Sequence, residues 1–291
     1  MKINVLAPAK INLTLDITGR TDNGYHYVDM IMQTISLYDE ISVEIIEGES
    51  GIFLSCSNKD IPTDSSNTAY KAVKYYLEKI NRNDVLVKIN INKNIPSQAG
   101  LAGGSTDASG VIYALNSYFN DILTSEEMLA ICAKIGADVP FCLYGGTTHS
   151  TGIGTTLKKI NSIPDCFIVL VKPEINISTK LAYELSDKKG YSKKVHSDEV
   201  IKFIDNKDIK NIAKNLYNDF EEVLIIEEIN NIKQSMLNTN AVGAVMSGSG
   251  STVYAIFTDE NDAENCADIF KKQYKDVYLA RPINCGCKIV K

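Results

Sequence analysis

A glycine-rich segment gives the clearest chemical signal in this sequence. Residues 96–108 contain three glycines followed by Ser-Thr-Asp, and they lie between a predicted strand and a predicted helix. Glycine lets the backbone adopt positive φ and approach a ligand closely, and the first turn of the following helix offers unpaired N–H groups with partial positive charge. Both properties are typical of a phosphate-binding loop, although a loop of this composition can also be a structural turn. The segment has neither the Gly-Lys-Ser/Thr ending of a Walker A loop nor the Gly-x-Gly-x-x-Gly spacing of a Rossmann fold.

Two ionisable residues, Lys10 and Asp138, could supply electrostatic or acid–base chemistry. Each lies in a segment whose proline and glycine content predicts a sharp turn, residues 7–10 and 136–140. Considered alone, Lys10 could equally be a solvated residue on a strand edge, and Asp138 a turn aspartate after a helix. A second glycine loop, residues 246–252, joins two predicted strands and is most simply a hairpin connection. Its functional interpretation requires the first glycine loop as a partner.

A third unusual segment combines arginine and aromatic side chains in a turn. Residues 19–26 contain Arg20, Tyr25 and His26 between two predicted strands. Such a turn can recognise a ligand, whereas His26 alone could also be a structural residue.

Strands and helices alternate along the first half of the chain. Strict alternation of apolar and polar residues predicts a strand over residues 10–18, which puts Lys10 and Asn12 on its polar face. Helical spacing of apolar residues predicts helices near residues 69–80 and 108–119, and Thr124 with Glu127 forms a capping box that opens a third helix.

The second half repeats a mixture of strands and helices. Apolar runs predict strands at residues 167–171, 242–246 and 253–257, with a helix at 262–274. Residues 145–156 are glycine-rich and lack periodicity, so we expect the domain boundary there, dividing residues 1–150 from residues 151–291. An α+β fold of two domains follows.

Composition excludes several classes of protein. The 291 residues carry a net charge of −6, and the lysines are dispersed among acidic residues, which argues against nucleic-acid binding. No apolar run approaches the roughly 18 residues of a membrane span, and the alternating N-terminus does not resemble a signal peptide. Seven cysteines without Cys-x-x-Cys pairs predict free thiols in a reducing, cytoplasmic environment.

Three segments, taken in order, resemble the GHMP kinase superfamily, which includes galactokinase, homoserine kinase, mevalonate kinase and phosphomevalonate kinase. Ala-Pro-Ala-Lys-Ile-Asn-Leu at residues 7–13 resembles its first motif, residues 96–108 its second and residues 246–252 its third. Thr106 departs from the usual Ser-Ser of the second motif but keeps the hydroxyl. The resemblance spans the chain and implies a two-lobed GHMP kinase fold, with a ribosomal-protein-S5-like N-terminal domain that binds ATP and a ferredoxin-like C-terminal domain.

Four further features resemble the members of that superfamily that act in the non-mevalonate isoprenoid pathway. They are the Gly-Arg and Gly-Tyr-His pairs of residues 19–26, the form of residues 103–108, Gly-Ala-Asp-Val-Pro-Phe at 136–141, and Asn-Asp-Phe-Glu at 218–221. The resemblance implies transfer of the ATP γ-phosphoryl group to the 2-hydroxyl of a cytidine diphosphate-linked methylerythritol. A homoserine or mevalonate kinase, and a catalytically silent nucleotide-binding protein, are the alternatives.

The same resemblance implies roles for individual residues. Asp138 would accept the proton of the attacking hydroxyl, and Lys10 would neutralise charge beside it. Asn12, Tyr25, His26 and Tyr183 would bind the substrate, although Tyr183 could also be a core residue of an amphipathic helix. The predicted ATP-binding residues are Pro96, Ser97, Gln98, Ala99, Gly100, Leu101, Ala102, Gly103, Gly104, Ser105 and Thr106. Mg²⁺ would accompany ATP near the hydroxyl of Ser105 or Thr106, held mainly by phosphates and water, and no dedicated protein ligand is predicted.

Overall fold

Two β-sheets organise the part of the chain that the computed structural model describes, residues 1–191 and 194–290. The strands, in chain order, are β1 (Lys2–Arg20), β2 (His26–Glu47), β3 (Gly51–Cys56), β4 (Val85–Asn92), β5 (Thr147–Thr151), β6 (Thr156–Lys159), β7 (Phe167–Lys172), β8 (Tyr217–Asn218), β9 (Gly243–Met246), β10 (Val253–Phe257), β11 (Asp276–Ala280) and β12 (Lys288–Val290).

The helices pack against these sheets. They are α1 (Thr68–Lys79), α2 (Gly103–Tyr118), α3 (Ser125–Ile135), α4 (Val139–Tyr144), α5 (Thr179–Lys189), α6 (Ser197–Asp205), α7 (Ile209–Lys214), α8 (Glu227–Leu237) and α9 (Glu260–Lys271), with a short 3₁₀ helix at Asp219–Glu222. In the described residues, no helix is both long and apolar enough to cross a bilayer.

The larger sheet follows the order β12-β1-β2-β4-β3, and β5 extends it beside β2. Alternating apolar residues of β1, β2 and β4 point to one face, where α1 and α2 cover them in a buried core. Local signals begin these helices. The side chain of Asn67 accepts a hydrogen bond from the backbone N–H of Ala69 before α1, and Thr124 and Glu127 form the predicted capping box of α3.

The smaller sheet is antiparallel, in the order β11-β7-β10-β9. One face packs on α8 and α9, and the other packs on the first sheet, where Leu170 and Tyr254 join Leu13 and Ile31 in one buried cluster. The Tyr254 hydroxyl also donates to the carbonyl oxygen of Asn12 at 2.8 Å. The second sheet therefore holds the strand that carries Lys10 and Asn12.

The α+β class is confirmed. Some local expectations differ from the structure. Residues 145–156, expected to lack regular structure, include β5, which pairs with β2, and β8 and β12 from the second half of the chain pair with β1. A domain boundary after residue 150 stays a prediction. The charged composition of residues 187–198 predicts a surface loop, whereas in the structure α5 extends to Lys189 and α6 begins at Ser197; residues 192–193 lie outside the described part.

Candidate active site

A cavity of about 530 Å³ lies between β1, the two glycine loops, and the N-termini of α2, α4 and α5; of the predicted site residues, Tyr25, His26, Ser105 and Thr106 do not line it. The cavity brings together most of the residues predicted from sequence. Its lining includes Lys10, Asn12, residues 96–104, Asp107, Asp138, Tyr183, Phe220 and residues 248–250.

Lys10 and Asp138 lie side by side on one wall of this cavity. Lys10 Nζ is 3.5 Å from Asp138 Oδ2 and donates to Asn12 Oδ1 at 2.6 Å. The lysine is only 4% exposed, so it is not the solvated edge residue that its strand position alone permits. Its backbone N–H also donates to the carbonyl oxygen of Leu101 at 3.1 Å, which ties β1 to the first glycine loop. Asp138 precedes α4, and its side chain is 32% exposed toward the cavity.

The first glycine loop leads into the N-terminus of α2. The backbone adopts positive φ at Gln98, Gly100 and Ala102, which turns the chain into the helix that begins at Gly103. No side chain caps this helix, so the first N–H groups are available to an anion. Thr106 is fully buried, and its hydroxyl has no hydrogen-bond partner in the described part of the chain.

The second glycine loop packs directly on the first. Ser247 Oγ donates to the carbonyl oxygen of Gly100 at 3.1 Å, and the N–H of Thr252 donates to that of Ala99 at 3.3 Å. A Cβ built on Gly248 would lie 3.0 Å from the Gly100 carbonyl oxygen and 3.4 Å from Lys10 Nζ. The loop is thus a hairpin connection that also supports the wall of the cavity.

The aromatic residues lie at the other end of the site. His26 stacks on Tyr183 with ring centroids 4.3 Å apart, and Tyr183 meets Phe220 edge to face at 5.0 Å. Burial, with a smaller contribution from the charge of Asp138, raises the pKa of Tyr183 to about 12, so its hydroxyl is neutral at physiological pH. Tyr183 both packs in the core and lines the cavity. Tyr25 lies on the turn between β1 and β2, 59% exposed.

Two groups of contacts were not anticipated from the sequence. Asp187, one helical turn after Tyr183 on α5, accepts from His26 Nε2 at 2.6 Å and from Arg20 at 2.9 Å. The spacing of four residues between Tyr183 and Asp187 would have placed both on one helix face, but only after α5 had been recognised.

The second group is a buried charge cluster beside the first glycine loop. Lys93 Nζ contacts Asp39 and lies 2.7 Å from Asp107 Oδ2. Burial raises the pKa of the Asp107 carboxyl; the charge of Lys93 opposes this shift and that of Asp39 adds to it. The other oxygen, Asp107 Oδ1, is buried and has no hydrogen-bond partner within the described residues.

Comparisons with known proteins place these features in a family. The sequence matches the description "GHMP kinases N terminal domain" over residues 67–146 and "GHMP kinases C terminal" over residues 200–276. It is 44% identical over 283 residues to the 4-diphosphocytidyl-2-C-methyl-D-erythritol kinase of Clostridium beijerinckii, covering 97% of this chain and 100% of that one. The protein of the same name from Caldicellulosiruptor saccharolyticus is 45% identical over 275 residues, covering 94% of each chain.

Solved structures give the same family. A crystal structure of 4-(cytidine 5'-diphospho)-2C-methyl-D-erythritol kinase superposes with a TM-score of 0.80 at 26% identity, over 96% of this chain and 98% of that one. A homoserine kinase from Cytophaga hutchinsonii has a TM-score of 0.81 at 19% identity, over 99% and 97% of the two chains, which shows a shared fold.

Proposed function

This chain belongs to the 4-diphosphocytidyl-2-C-methyl-D-erythritol kinases of the GHMP family, and from that premise we propose which residues of the cavity carry out the reaction. The enzyme transfers a phosphoryl group from ATP to the 2-hydroxyl of 4-diphosphocytidyl-2-C-methyl-D-erythritol in the non-mevalonate isoprenoid pathway. The observation that carries the assignment of roles is the Lys10–Asp138 pair, which lines the same cavity as the N-terminus of α2.

Asp138 is the proposed base. Phosphoryl transfer requires alignment of the two substrates, neutralisation of charge on the transferring oxygens, and an acceptor for the alcohol proton. The Asp138 carboxylate faces the cavity and can take that proton late in a loose transition state. Lys10 is held by Asn12 beside it, where its ammonium can pair with phosphoryl oxygens.

The first glycine loop is the proposed triphosphate site. Backbone N–H groups at the uncapped start of α2 can donate to phosphate oxygens, and the alanine and glycine residues at 99, 100 and 102–104 let the nucleotide approach. The second glycine loop would support this site through its contacts with Ala99 and Gly100. The 11 residues 96–106 predicted from the motif remain our proposal for ATP binding.

Mg²⁺ fits the donors beside this loop. Asp107 Oδ1 is a buried oxygen without a partner at the cavity wall, and Ser105 supplies a hydroxyl in the first turn of α2. Among the described residues no group of three or more acidic, histidine or cysteine side chains could hold a metal. Mg²⁺ commonly binds through one or two protein oxygens together with substrate phosphates, and it neutralises phosphate charge when bound. Asp107 and the hydroxyl of Ser105 or Thr106 are therefore the proposed protein contacts.

The cytidine end of the substrate is assigned to Tyr25, His26 and Tyr183. Tyr183 and His26 already form one aromatic surface, and Tyr25 is free to approach a base from the exposed turn. Stacking on an aromatic ring contributes roughly 1–3 kcal/mol per base. Asn12, beside Lys10, would contact the erythritol part. The cytoplasmic location inferred from the free thiols stays a prediction.

Steady-state kinetics of two variants test the catalytic roles. We expect Asp138→Asn and Lys10→Met each to lower kcat by roughly 10²-fold or more, the size of a general-base or electrostatic contribution. Asp84→Asn, which changes an exposed carboxylate paired with Arg82 far from the cavity, is the matched control and should keep the wild-type kcat. A folded Asp138 or Lys10 variant with near-normal kcat would remove that residue from the mechanism.

Substrate choice is tested with the wild-type enzyme. ADP release should occur with the cytidylyl alcohol and be absent with homoserine or mevalonate. Release with only one of the latter two would overturn the substrate, and ATP binding without turnover of any alcohol would favour the silent nucleotide-binding alternative.

A further inference from the structure

Four consecutive residues, Asn218–Glu221, span the junction between β8 and the 3₁₀ helix, and their side chains contact the second glycine loop, β1 and Tyr183. We propose that this segment positions the two substrate sites separately: Asn218 and Glu221 hold the second glycine loop and so the ATP side, and Phe220 holds Tyr183 and so the cytidine side. The proposal rests on the assignment of those two sides given above.

Asn218 holds both ends of one turn of the second glycine loop. Its Nδ2 donates to the carbonyl oxygens of Met246 and Gly248, each at 2.7 Å, and its Oδ1 accepts from the N–H of Phe220 at 3.0 Å. The residue is 2% exposed. A side-chain amide has two N–H donors and an acceptor, so Asn218 satisfies three backbone groups at once. An aspartate would present carboxylate oxygens to the same two carbonyl oxygens.

Glu221 holds the same loop at its first residue, Met246, which is also the last residue of β9. Its Oε1 accepts from the N–H of Met246 at 2.8 Å, and its Oε2 is 2.6 Å from Lys233 Nζ. Met246 is therefore held through its N–H by Glu221 and through its carbonyl oxygen by Asn218. Because this loop packs on Gly100 and approaches Lys10 Nζ, fixing it also fixes the proposed triphosphate site.

Asp219 and Phe220 contact β1 and Tyr183 instead of the second glycine loop. Asp219 Oδ2 accepts from the N–H of Ile17 at 2.6 Å, which anchors the segment to β1. The Phe220 ring is 2% exposed, lines the cavity and meets the Tyr183 ring edge to face. Phe220 thus packs against the Tyr183 ring in addition to His26, and a smaller side chain would leave the Tyr183 ring free to shift.

Paired variants of the full-length enzyme test this division. Asn218→Asp should raise the KM for ATP about tenfold or more and leave the KM for the cytidylyl alcohol within about threefold, because only the ATP side loses its support. Phe220→Leu should raise the KM for the cytidylyl alcohol about tenfold or more and leave the KM for ATP within about threefold. Asn230→Asp, the same chemical change at an exposed position of α8, is the control and should alter neither KM.

Two additional measurements keep the proposal falsifiable. If Asn218→Asp fails to fold, Asn218→Ser retains one donor and should show a smaller, still selective rise in the KM for ATP. Equilibrium ATP binding without the alcohol should weaken about tenfold in Asn218→Asp, a result that does not depend on the acceptor substrate. Equal changes in both KM values, or unchanged ATP binding, in a folded variant would overturn the positioning role. Absence of wild-type activity on the cytidylyl alcohol would instead overturn the proposed function.

Discussion

A single added methyl group at Gly100 should separate the two glycine loops. Gly100 has a φ of +73°, and a Cβ built there would lie 2.0 Å from the carbonyl oxygen of Ser247. The Cβ position is fixed by the backbone of Gly100 and the atom it would meet is a backbone oxygen; the Ser247 hydroxyl also donates to the Gly100 carbonyl oxygen. Neither loop can relieve the overlap by changing a rotamer, so in Gly100→Ala the backbone must move.

The size of the effect follows from the distance. Real Cβ atoms essentially never approach another heavy atom closer than 3.0 Å, compared with 2.0 Å here. The loops must therefore move apart by about 1 Å, a displacement that can lower catalytic efficiency by about 10²-fold when it misplaces reacting groups. Positive φ adds a conformational cost of roughly 1–2 kcal/mol for any residue other than glycine.

Gly48→Ala separates the two contributions. Gly48 has a similar φ of +81°, but a Cβ there would meet nothing within 4 Å. Both variants should lose stability through the backbone cost, measured as a lower Tm, whereas only Gly100→Ala should lose about 10²-fold in kcat/KM for ATP in an ADP-release assay. If Gly100→Ala keeps its kcat/KM within about threefold of the Gly48→Ala value, the contact between the loops does not control the site.

Three further variants address the aromatic surface and the buried charges. Tyr183→Ala should raise the KM for the cytidylyl substrate about tenfold with an unchanged KM for ATP, because stacking is lost; an unchanged substrate KM would remove Tyr183 from the site. Asp187→Ala removes the carboxylate that holds His26 Nε2 and should raise the same KM several-fold, but it should have no further effect in a His26→Ala background. Burial raises the pKa of Asp107 above its ordinary 3.8, so the folded state binds that proton more tightly, and wild-type stability should fall as pH rises above that value. Asp107→Asn should lack this fall when Tm is compared at about pH 5 and about pH 8; parallel curves would contradict the shifted pKa.

Local patterns predicted only part of the first sheet, and β1 shows where such patterns stop. Alternation over residues 10–18 predicts a strand with Lys10 and Asn12 on one face, and the two side chains do meet at 2.6 Å. The strand itself runs from Lys2 to Arg20, interrupted by register shifts such as the one between Pro8 and Lys10. Each register shift interrupts the two-residue alternation of side chains, so the alternation of apolar and polar residues predicts only the regular part of the strand.

Burial of Lys10 could not be predicted from β1 alone. The polar face of a strand is normally expected to be exposed to solvent. Lys10 is nevertheless only 4% exposed, because the glycine loops cover that face. The two glycine loops that cover Lys10 lie about 90 and 240 residues further along the chain, so a pattern among neighbouring residues cannot predict this contact. The resemblance of the motifs predicted Lys10 and Asp138 as site residues, whereas the contact between the two glycine loops is visible only in the folded structure.

In the proposed mechanism, the Lys10–Asp138 pair accounts for the way in which an acidic protein handles two anionic substrates. The chain carries a net charge of −6, and the ammonium of Lys10 is already balanced by Asp138 at 3.5 Å. In the proposed reaction, Asp138 becomes neutral when it accepts the alcohol proton. The charge of Lys10 then loses its partner while negative charge is spread over the transferring phosphoryl oxygens, and a low local dielectric strengthens their attraction. The positive charge of Lys10 is thus compensated by Asp138 in the resting site and free to attract the phosphoryl oxygens in the transition state. The site therefore binds the transition state more tightly than the ground state, which lowers the activation barrier.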